Sequence, residues 1–311
     1  MATQKFSSFE AFFDAFRFAN MRPIILGPSG KNWLLTSVVL NNLSVQWGQA
    51  EAKAAVEGTP RPGGVSIFLP TRTPAAWRWN GHRLDELSVM VDTSGSEFCL
   101  SAAAAPRSWC GLYIPNLVLA GADGDVTTKV GSKRGVFQVP AQRITRFRSI
   151  VGYLEAMVQK TPSLLESAAA QSAACQKLVQ EVRELLAAPH TVVPKPGRSS
   201  LTHKQIVRLA MDFVEQHDLE CISVEQLAIA AGVSERTLRD AFVQYFGLAP
   251  VQYLNRRLLN YVRRALLTCD PSRTTVSEVA TQFGVWHFGR LARDYQLLFG
   301  ELPSETLRHL H

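Results

Sequence analysis

Apolar and polar positions between residues 223 and 307 follow one pattern twice. Val224 aligns with Val276, Leu227 with Val279, Ala228 with Ala280 and Gly232-Val233 with Gly284-Val285. After one inserted residue, Leu238 aligns with Leu291, Phe242 with Tyr295, Phe246-Gly247 with Phe299-Gly300 and Pro250 with Pro303. Each copy predicts a helix, a tight turn and a second helix. Ser223 with Gln226, and Thr275 with Glu278, are capping boxes: the hydroxyl takes an orphan amide and the longer side chain reaches back. Gly232 or Gly284 supplies the left-handed residue that stops the first helix and aims the second, and Ser234 caps the second helix of the first copy. There Leu238, Ala241, Phe242 and Tyr245 recur at three and four residues and face inward, leaving Glu235, Arg236, Arg239 and Asp240 outside. In the second copy Phe288, Leu291, Tyr295 and Leu298 form the expected buried stripe, exposing Trp286, His287, Gly289, Arg290 and Arg293.

Between the copies, Tyr253 to Leu267 predicts an amphipathic helix with Leu254, Leu258, Tyr261/Val262 and Ala265/Leu266 inward and Arg256, Arg257, Arg263 and Arg264 outward. Such a helix holds the two units at a fixed separation. One helix, glycine, helix segment is more often ordinary packing than a DNA reader. Two in register change that balance, because the exposed first residues of a second helix are the ones that reach base edges in a major groove. The candidate DNA-binding residues are therefore Ser234, Arg236, Thr237, Arg239 and Asp240 in the first copy and Trp286, His287, Phe288, Gly289, Arg290 and Arg293 in the second.

On these motifs, residues 223–307 resemble the DNA-binding domain of the AraC/XylS family of bacterial transcription regulators, down to a closing signature that runs from Phe299-Gly300 through Pro303-Ser304-Glu305 to Arg308. The resemblance implies seven helices, two recognition helices entering successive major grooves on one DNA face, and no enzymatic activity. Its base-contact positions fall on Arg236, Arg239 and Asp240, and on His287, Phe288, Gly289 and Arg293. Two positions depart from the family pattern. Leu258 stands where the family often carries arginine, and the second reader opens on Trp286-His287-Phe288-Gly289 in place of a polar stretch. Phe288 and Gly289 offer bases few hydrogen bonds, so specificity is expected to lean on the first reader.

Charge moves attention to the rest of the chain. Residues 200–311 hold 12 Lys+Arg against 12 Asp+Glu, so the formal excess of +7 lies in residues 1–199. DNA affinity must then come from the placement of arginines, and it falls with salt as phosphate contacts release counterions. A chain of 311 residues, 46% hydrophobic, suits a two-domain protein. No apolar run is long enough for a bilayer, and the start, a Phe-rich helix expected over Ser7 to Asn20 with Ser7 and Glu10 as capping box, is unlike a signal peptide. Five scattered cysteines (Cys99, Cys110, Cys175, Cys221, Cys269) fit reduced thiols in a cytoplasmic protein; redox sensing by Cys99 with Cys110 is the rarer alternative.

From about residue 23 to 140 short alternating runs divided by Gly, Pro and Asn predict strands: Leu34 to Leu40, Leu43 to Trp47, Val65 to Leu69, Trp77 to Trp79, Leu87 to Val91, Leu112 to Ile114 and Gly135 to Val139. The expected fold is α+β: a cupin-like β-sandwich or jelly-roll sensor with dimerisation helices over 1–188, a linker at 189–200, and an all-α domain of two helix-turn-helix units over 201–311. The cupin-like expectation also follows from the resemblance. Metal binding is not expected, because His82 is the only histidine before residue 190. Gly27-Pro-Ser-Gly30-Lys31-Asn32 lacks the spacing of a phosphate loop, and Asp92-Thr-Ser94-Gly-Ser96 lacks the flanking glycines of a nucleophile elbow, so no catalytic residue and no cofactor is assigned.

Lys129, Lys133, Arg134, Arg143, Arg146 and Arg148 fall in an acid-free stretch, and Arg61, Arg72, Arg78 and Arg83 in another beside Trp77 and Trp79. A solvated face or a domain interface is the plain account. The sharper one is an anionic effector, an organic acid or a nucleotide such as a cyclic dinucleotide, held by Lys133, Arg134, Arg143, Arg146, Arg148, Arg78 and Trp79. Helices are expected over Ile144 to Gln159 and, started by Ser163 with Glu166, over Ser163 to Ala188. Cys175, Leu178/Val179, Val182 and Leu185/Leu186 form a stripe on the second, suited either to a dimer contact or to its own sheet. The reading is a cytoplasmic, homodimeric, effector-controlled activator that meets an operator and RNA polymerase and has no membrane partner. The competing class is a catalytic β-domain fused to DNA readers, as in adaptive-response DNA-repair regulators.

Overall fold

A computed structural model describes residues 2–28, 32–72, 76–93, 97–120, 135–188, 191–192, 202–217, 219 and 222–308. The chain opens with β1 (Ala2–Phe6), α1 (Phe9–Asp14) and β2 (Ala19–Ile25), then runs through β3 (Trp33–Leu40), β4 (Leu43–Ala50), β5 (Ala54–Pro60), β6 (Gly64–Arg72), β7 (Trp77–Trp79), β8 (His82–Arg83), β9 (Ser88–Asp92), β10 (Phe98–Ala102) and β11 (Arg107–Pro115). Next come α2 (Asn116–Ala120), β12 (Gly135–Gln138), α3 (Ala141–Lys160), α4 (Ala168–Ala187) and β13 (Thr191–Val192). The C-terminal domain comprises α5 (His203–Gln216), α6 (Val224–Ala230), α7 (Glu235–Phe246), α8 (Pro250–Leu266), α9 (Val276–Gln282), α10 (Phe288–Phe299) and α11 (Pro303–Arg308).

The strands build two antiparallel sheets, in the orders β1-β3-β4-β11-β6-β9-β12-β13 and β2-β5-β10-β7-β8. Alternation along each strand fills the layers on either side. Trp33 and Leu35 on β3, Trp109 on β11 and Phe98 and Leu100 on β10 point into a core of rings between the sheets, with Phe12, Phe68, Trp77 and Trp79. Val38 and Leu40, with Cys110, Leu112 and Ile114, take the opposite face of the larger sheet and pack on α3 and α4. The outer face of the smaller sheet, through Ile24, Leu26, Ala55 and Cys99, packs on α5, α6 and α7. Helices, sheet, sheet and reader domain thus form consecutive layers.

All the expected strands are present, and the architecture is the predicted α+β one. Several boundaries differ. The sheets begin at Ala2, well before residue 23. Helix α1 is only 6 residues long and is capped by Ser8, whose Oγ accepts from Ala11 N at 3.2 Å, in place of Ser7. Its expected continuation is drawn into β2 because Ala19–Ile25 pairs with β5. Pro162 starts a short 3-10 turn at Pro162–Leu165, so α4 begins at Ala168 with Ser167, not Ser163, as its cap. The α4 stripe of Cys175, Leu178, Val179, Val182, Leu185 and Leu186 lies in the core beneath the larger sheet. Self-packing, not a dimer contact, therefore uses that stripe. Of the expected linker, Thr191–Val192 pairs with β12, and residues 189–190 and 193–200 lie outside the described residues, as do Ser29 to Lys31 and Ser94 to Ser96.

Candidate nucleic-acid interface

Both readers fold from the caps that the sequence supplies. Ser223 N donates to Gln226 Oε1 at 2.8 Å and Gln226 N to Ser223 Oγ at 3.1 Å; Thr275 and Glu278 repeat the exchange at 2.7 and 3.2 Å. Gly232 and Gly284 take φ of 65° and 71°, the left-handed values that set the angle between paired helices. On α7, Ser234 Oγ accepts from Thr237 N at 3.2 Å, so Ser234 and Thr237 serve the cap as well as lying at the tip. Arg236, Arg239 and Asp240 are exposed beside them, and the two arginines make no ion pair among the described residues.

The second tip is built differently. Helix α10 starts at Phe288 after His287, whose side chain makes no capping bond. Trp286 is 69% exposed and Phe288 39% exposed. Phe288 therefore leaves the predicted buried stripe, because it occupies the first turn, ahead of the contacts that bury Leu291, Tyr295 and Leu298. His287, Gly289, Arg290 and Arg293 are exposed too, with Arg290 Nε 3.6 Å from Asp294 Oδ2. The structure thus brings each proposed set of DNA-binding residues together at the outward tip of its own reader.

The bridging helix α8 departs most from expectation. Arg257 and Arg263 are only 2% and 8% exposed, not outward, because α8 is enclosed by the readers on its flanks and by the N-terminal domain over its top. Arg257 pairs with Glu215 of α5 and lies 3.6 Å from Glu57 of β5. Arg263 Nε donates to Glu10 Oε1 of α1 at 2.8 Å, and its Nη1 pairs with Glu301. Burial opposes the charge on each arginine, but the surrounding carboxylates and phenols outweigh it and raise both pKa values. Asn260 Oδ1 accepts from Ile25 N and its Nδ2 donates to Ile25 O, both at 2.9 Å, so one side chain satisfies both main-chain groups of Ile25 at the end of β2. A helical wheel cannot reveal these roles, since charged positions read as solvent-facing until a third neighbour is known.

The first recognition helix is gripped from behind. Ser101 Oγ donates to Tyr245 O at 2.6 Å, Tyr245 Oη donates to Asn80 Oδ1 at 3.0 Å, and Lys53 Nζ donates to Gly247 O at 3.0 Å. Next to these contacts, between the smaller sheet and α5, lies a cavity of about 760 Å³ lined by Arg22, Phe98, Cys99, Lys204, Arg208 and Met211, among others.

The proposed effector residues are not assembled into one site. Arg143 pairs with Glu184, Arg146 with Glu181 at 2.7 Å, and Arg148 Nη2 donates to Pro70 O at 3.2 Å, so all three tie α3 to α4 or to the larger sheet. Arg78 and Trp79 sit on β7 in the other sheet, where Trp79 stacks on Phe98 at 4.5 Å. Lys133 and Arg134 lie outside the described residues. No group of three or more His, Cys, Asp or Glu placed to hold a metal occurs among the described residues, and no helix there is long and apolar enough to cross a membrane.

A family model described as a helix-turn-helix domain matches residues 227–309. The probable thc operon regulatory protein of Rhodococcus erythropolis is 40% identical over 115 residues, 37% of this chain and 33% of that protein. The XylDLEGF operon transcriptional activator 2 of Pseudomonas putida is 39% identical over 97 residues, 31% of this chain and 62% of its own length. Each match thus spans less than two thirds of the relative. Among solved structures, a probable AraC family transcriptional regulator from Rhodopseudomonas palustris is 33% identical over 33% of this chain and 95% of that one, with a TM-score of 0.31.

Proposed function

We propose that this chain, whose C-terminal domain is of the AraC/XylS type, is an effector-controlled activator reading an operator with two linked recognition helices. The observation that carries the reading is the pair of exposed tips, Arg236, Arg239 and Asp240 on α7 and Arg290 and Arg293 on α10, held at a fixed separation by α8. Arginine forks and carboxylates are the groups that read guanine and cytosine edges in a major groove. The protein acts in the cytoplasm as a homodimer and contacts RNA polymerase from its DNA-bound state. Its dimer surface lies away from the α4 stripe, which its own sheet covers.

The effector is a small organic acid, and its site is the cavity between the smaller sheet and α5. The ion pairs of Arg143 and Arg146 and the ring-filled interior of the sandwich favour this placement over the α3 arginines. The cavity is lined by apolar Phe98 and Met211, by Arg22, Lys204 and Arg208, and by the carboxylates Glu57, Glu97, Asp212 and Glu215, so an organic acid would have to seat on the arginines, which come from opposite domains, with the carboxylates as its counterweight. An occupant there bears on α5 and on the end of α7, which connects ligand to reader. Selection of duplexes from a random pool by the full chain tests the DNA reading, with recovery of one enriched motif containing two half-sites expected. Recovery of unenriched sequence would overturn it. Calorimetric titration of an organic-acid panel against the parent and R22A/R208A tests the effector site, where affinity unchanged by the double substitution would remove it.

A further inference from the structure

We infer that Arg257 and Arg263 form a two-point latch by which the N-terminal domain holds the bridging helix, built so that the domains can part without leaving a buried charge unpaired. Each arginine is shared between one carboxylate of its own domain and one from across the seam. Arg257 has Glu215 from the reader domain and Glu57 from the sensor; Arg263 has Glu301 from the reader domain and Glu10 from the sensor. The two arginines lie 6 residues apart on one helix, so the arrangement is made twice over a stretch of nearly two turns.

The division of partners has a physical consequence. Removing one partner of a buried ion pair is costly because the other charge is left unsatisfied. Here separation of the domains leaves Arg257 on Glu215 and Arg263 on Glu301, while Glu57 and Glu10 pass into water. The energetic obstacle that usually makes a buried ion pair irreversible is therefore absent from the reader side.

The sensor side is also incompletely satisfied when closed. Glu10 Oε1 receives Arg263, but the buried Oε2 finds no hydrogen-bond partner among the described residues. Separation hydrates it. Around this point Phe9 of α1 stacks on Phe299 at 6.1 Å and the Arg263 guanidinium lies 4.8 Å above the Phe299 ring, so apolar contact supports the closed form while the carboxylates decide how readily it opens.

The inference adds a means of control to the regulator reading and rests on it only for its biological purpose. Small-angle scattering of the full chain without DNA or effector tests it, so its failure and the failure of that reading are separable. In E10Q/E57Q the open fraction should rise roughly tenfold to hundredfold for each carboxylate removed, seen as a larger radius of gyration with helical circular dichroism unchanged. Salt should change the parent's dimensions little, because buried pairs are screened far less than exposed ones. E215Q/E301Q should lower the melting temperature without enlarging the molecule, because both arginines keep their sensor carboxylates. If E10Q/E57Q loses its helical signal, E10D/E57D is read by the same criterion. Scattering identical to the parent for the sensor-side pair at every salt concentration, or equal expansion in the two double variants, would overturn the latch.

Discussion

Lys53 donates its ammonium to the main-chain carbonyl of Gly247 at 3.0 Å, so a sensor side chain closes the carboxyl end of the first recognition helix. Gly247 is the left-handed cap of α7, with φ of 70°, at the end where unpaired carbonyls gather and cations are favoured. Burial first, then the charges of Arg78 and Arg256, pull the Lys53 pKa below its ordinary value, so the ammonium is held there against an opposing environment.

These effects act in opposite directions and bound the outcome of substitution. K53M keeps the apolar stem and removes both the cap and the disfavoured charge, so its stability should lie within about 0.5 kcal/mol of the parent. K53E puts an anion at the negative end of α7 and should cost about 1 kcal/mol. Denaturant titration of both at neutral pH checks the pair. A loss of several kcal/mol in K53M would mean that the hydrogen bond outweighs burial and repulsion.

Gly81 offers a steric handle on the same seam. Its φ is +82°, and an added Cβ would come within 2.9 Å of Tyr245 Cδ2. G81A should therefore lose about 2 kcal/mol, part from the left-handed backbone and part from displacing the ring. Tyr245 also donates to Asn80, so Y245A removes the obstacle along with a hydrogen bond. The two substitutions should combine to less than their sum in a double-mutant cycle, whereas simple additivity would show that the ring moves freely.

The duplicated pattern carried the reader domain because its signals are local: a hydroxyl three residues before Gln226 or Glu278, a glycine at the turn and a 3.6-residue stripe all act within one helical hairpin. The strands were legible for the same reason, through alternation. What could not be read was which surface receives a third neighbour. Arg257 looks solvated until β5 is placed over α8 and Arg263 until α1 is, and Asn260 looks unremarkable until its amide meets the edge of β2. The acid-free run around Arg143 and Arg146 misled because its counter-charges, Glu181 and Glu184, lie a whole helix later.

Unequal tips predict unequal effects on recognition. R239A should flatten base preference at one position of the first half-site, losing roughly 1–3 kcal/mol of discrimination against the wrong base. R293A on the aromatic, glycine-bearing tip should weaken selected and random duplexes more evenly and reduce the salt dependence by about one phosphate contact. Competition binding over a salt series separates the two. Equal losses from R239A on selected and random DNA would assign Arg239 to phosphate.

Alkali should unfold the reader domain before its arginines discharge. Burial raises the phenols of Tyr245, Tyr253 and Tyr295, the last to about 12 from an ordinary value of 10.0 in spite of the opposing pull of Arg263 and Thr306. The folded state then keeps protons that the unfolded chain has released, so stability falls as pH rises between about 10 and about 12. Y295F removes one such phenol and should flatten that decline while costing stability at neutral pH through the lost bond to Thr306. Denaturant midpoints across this pH range provide the check, and parallel curves for parent and variant would place the titration elsewhere.

Cys99 and Cys110 distinguish opening of the seam from unfolding of the sensor. Both thiols are buried, and burial raises both pKa values, which slows the reaction of each; Cys99 also borders the cavity beside α5, whereas Cys110 does not. Cys99 is shared between the smaller sheet and the reader helices, whereas Cys110 lies on the far face of the larger sheet under α3 and α4. Parting the domains uncovers the first and leaves the second enclosed. In a background with Cys221 and Cys269 changed to serine, a disulfide reagent should label Cys99 faster than Cys110. G81A, which presses on Tyr245 beside Cys99, should accelerate labelling of Cys99 alone. Equal acceleration at both positions would mean that the sensor unfolds as a whole and that the seam does not open by itself.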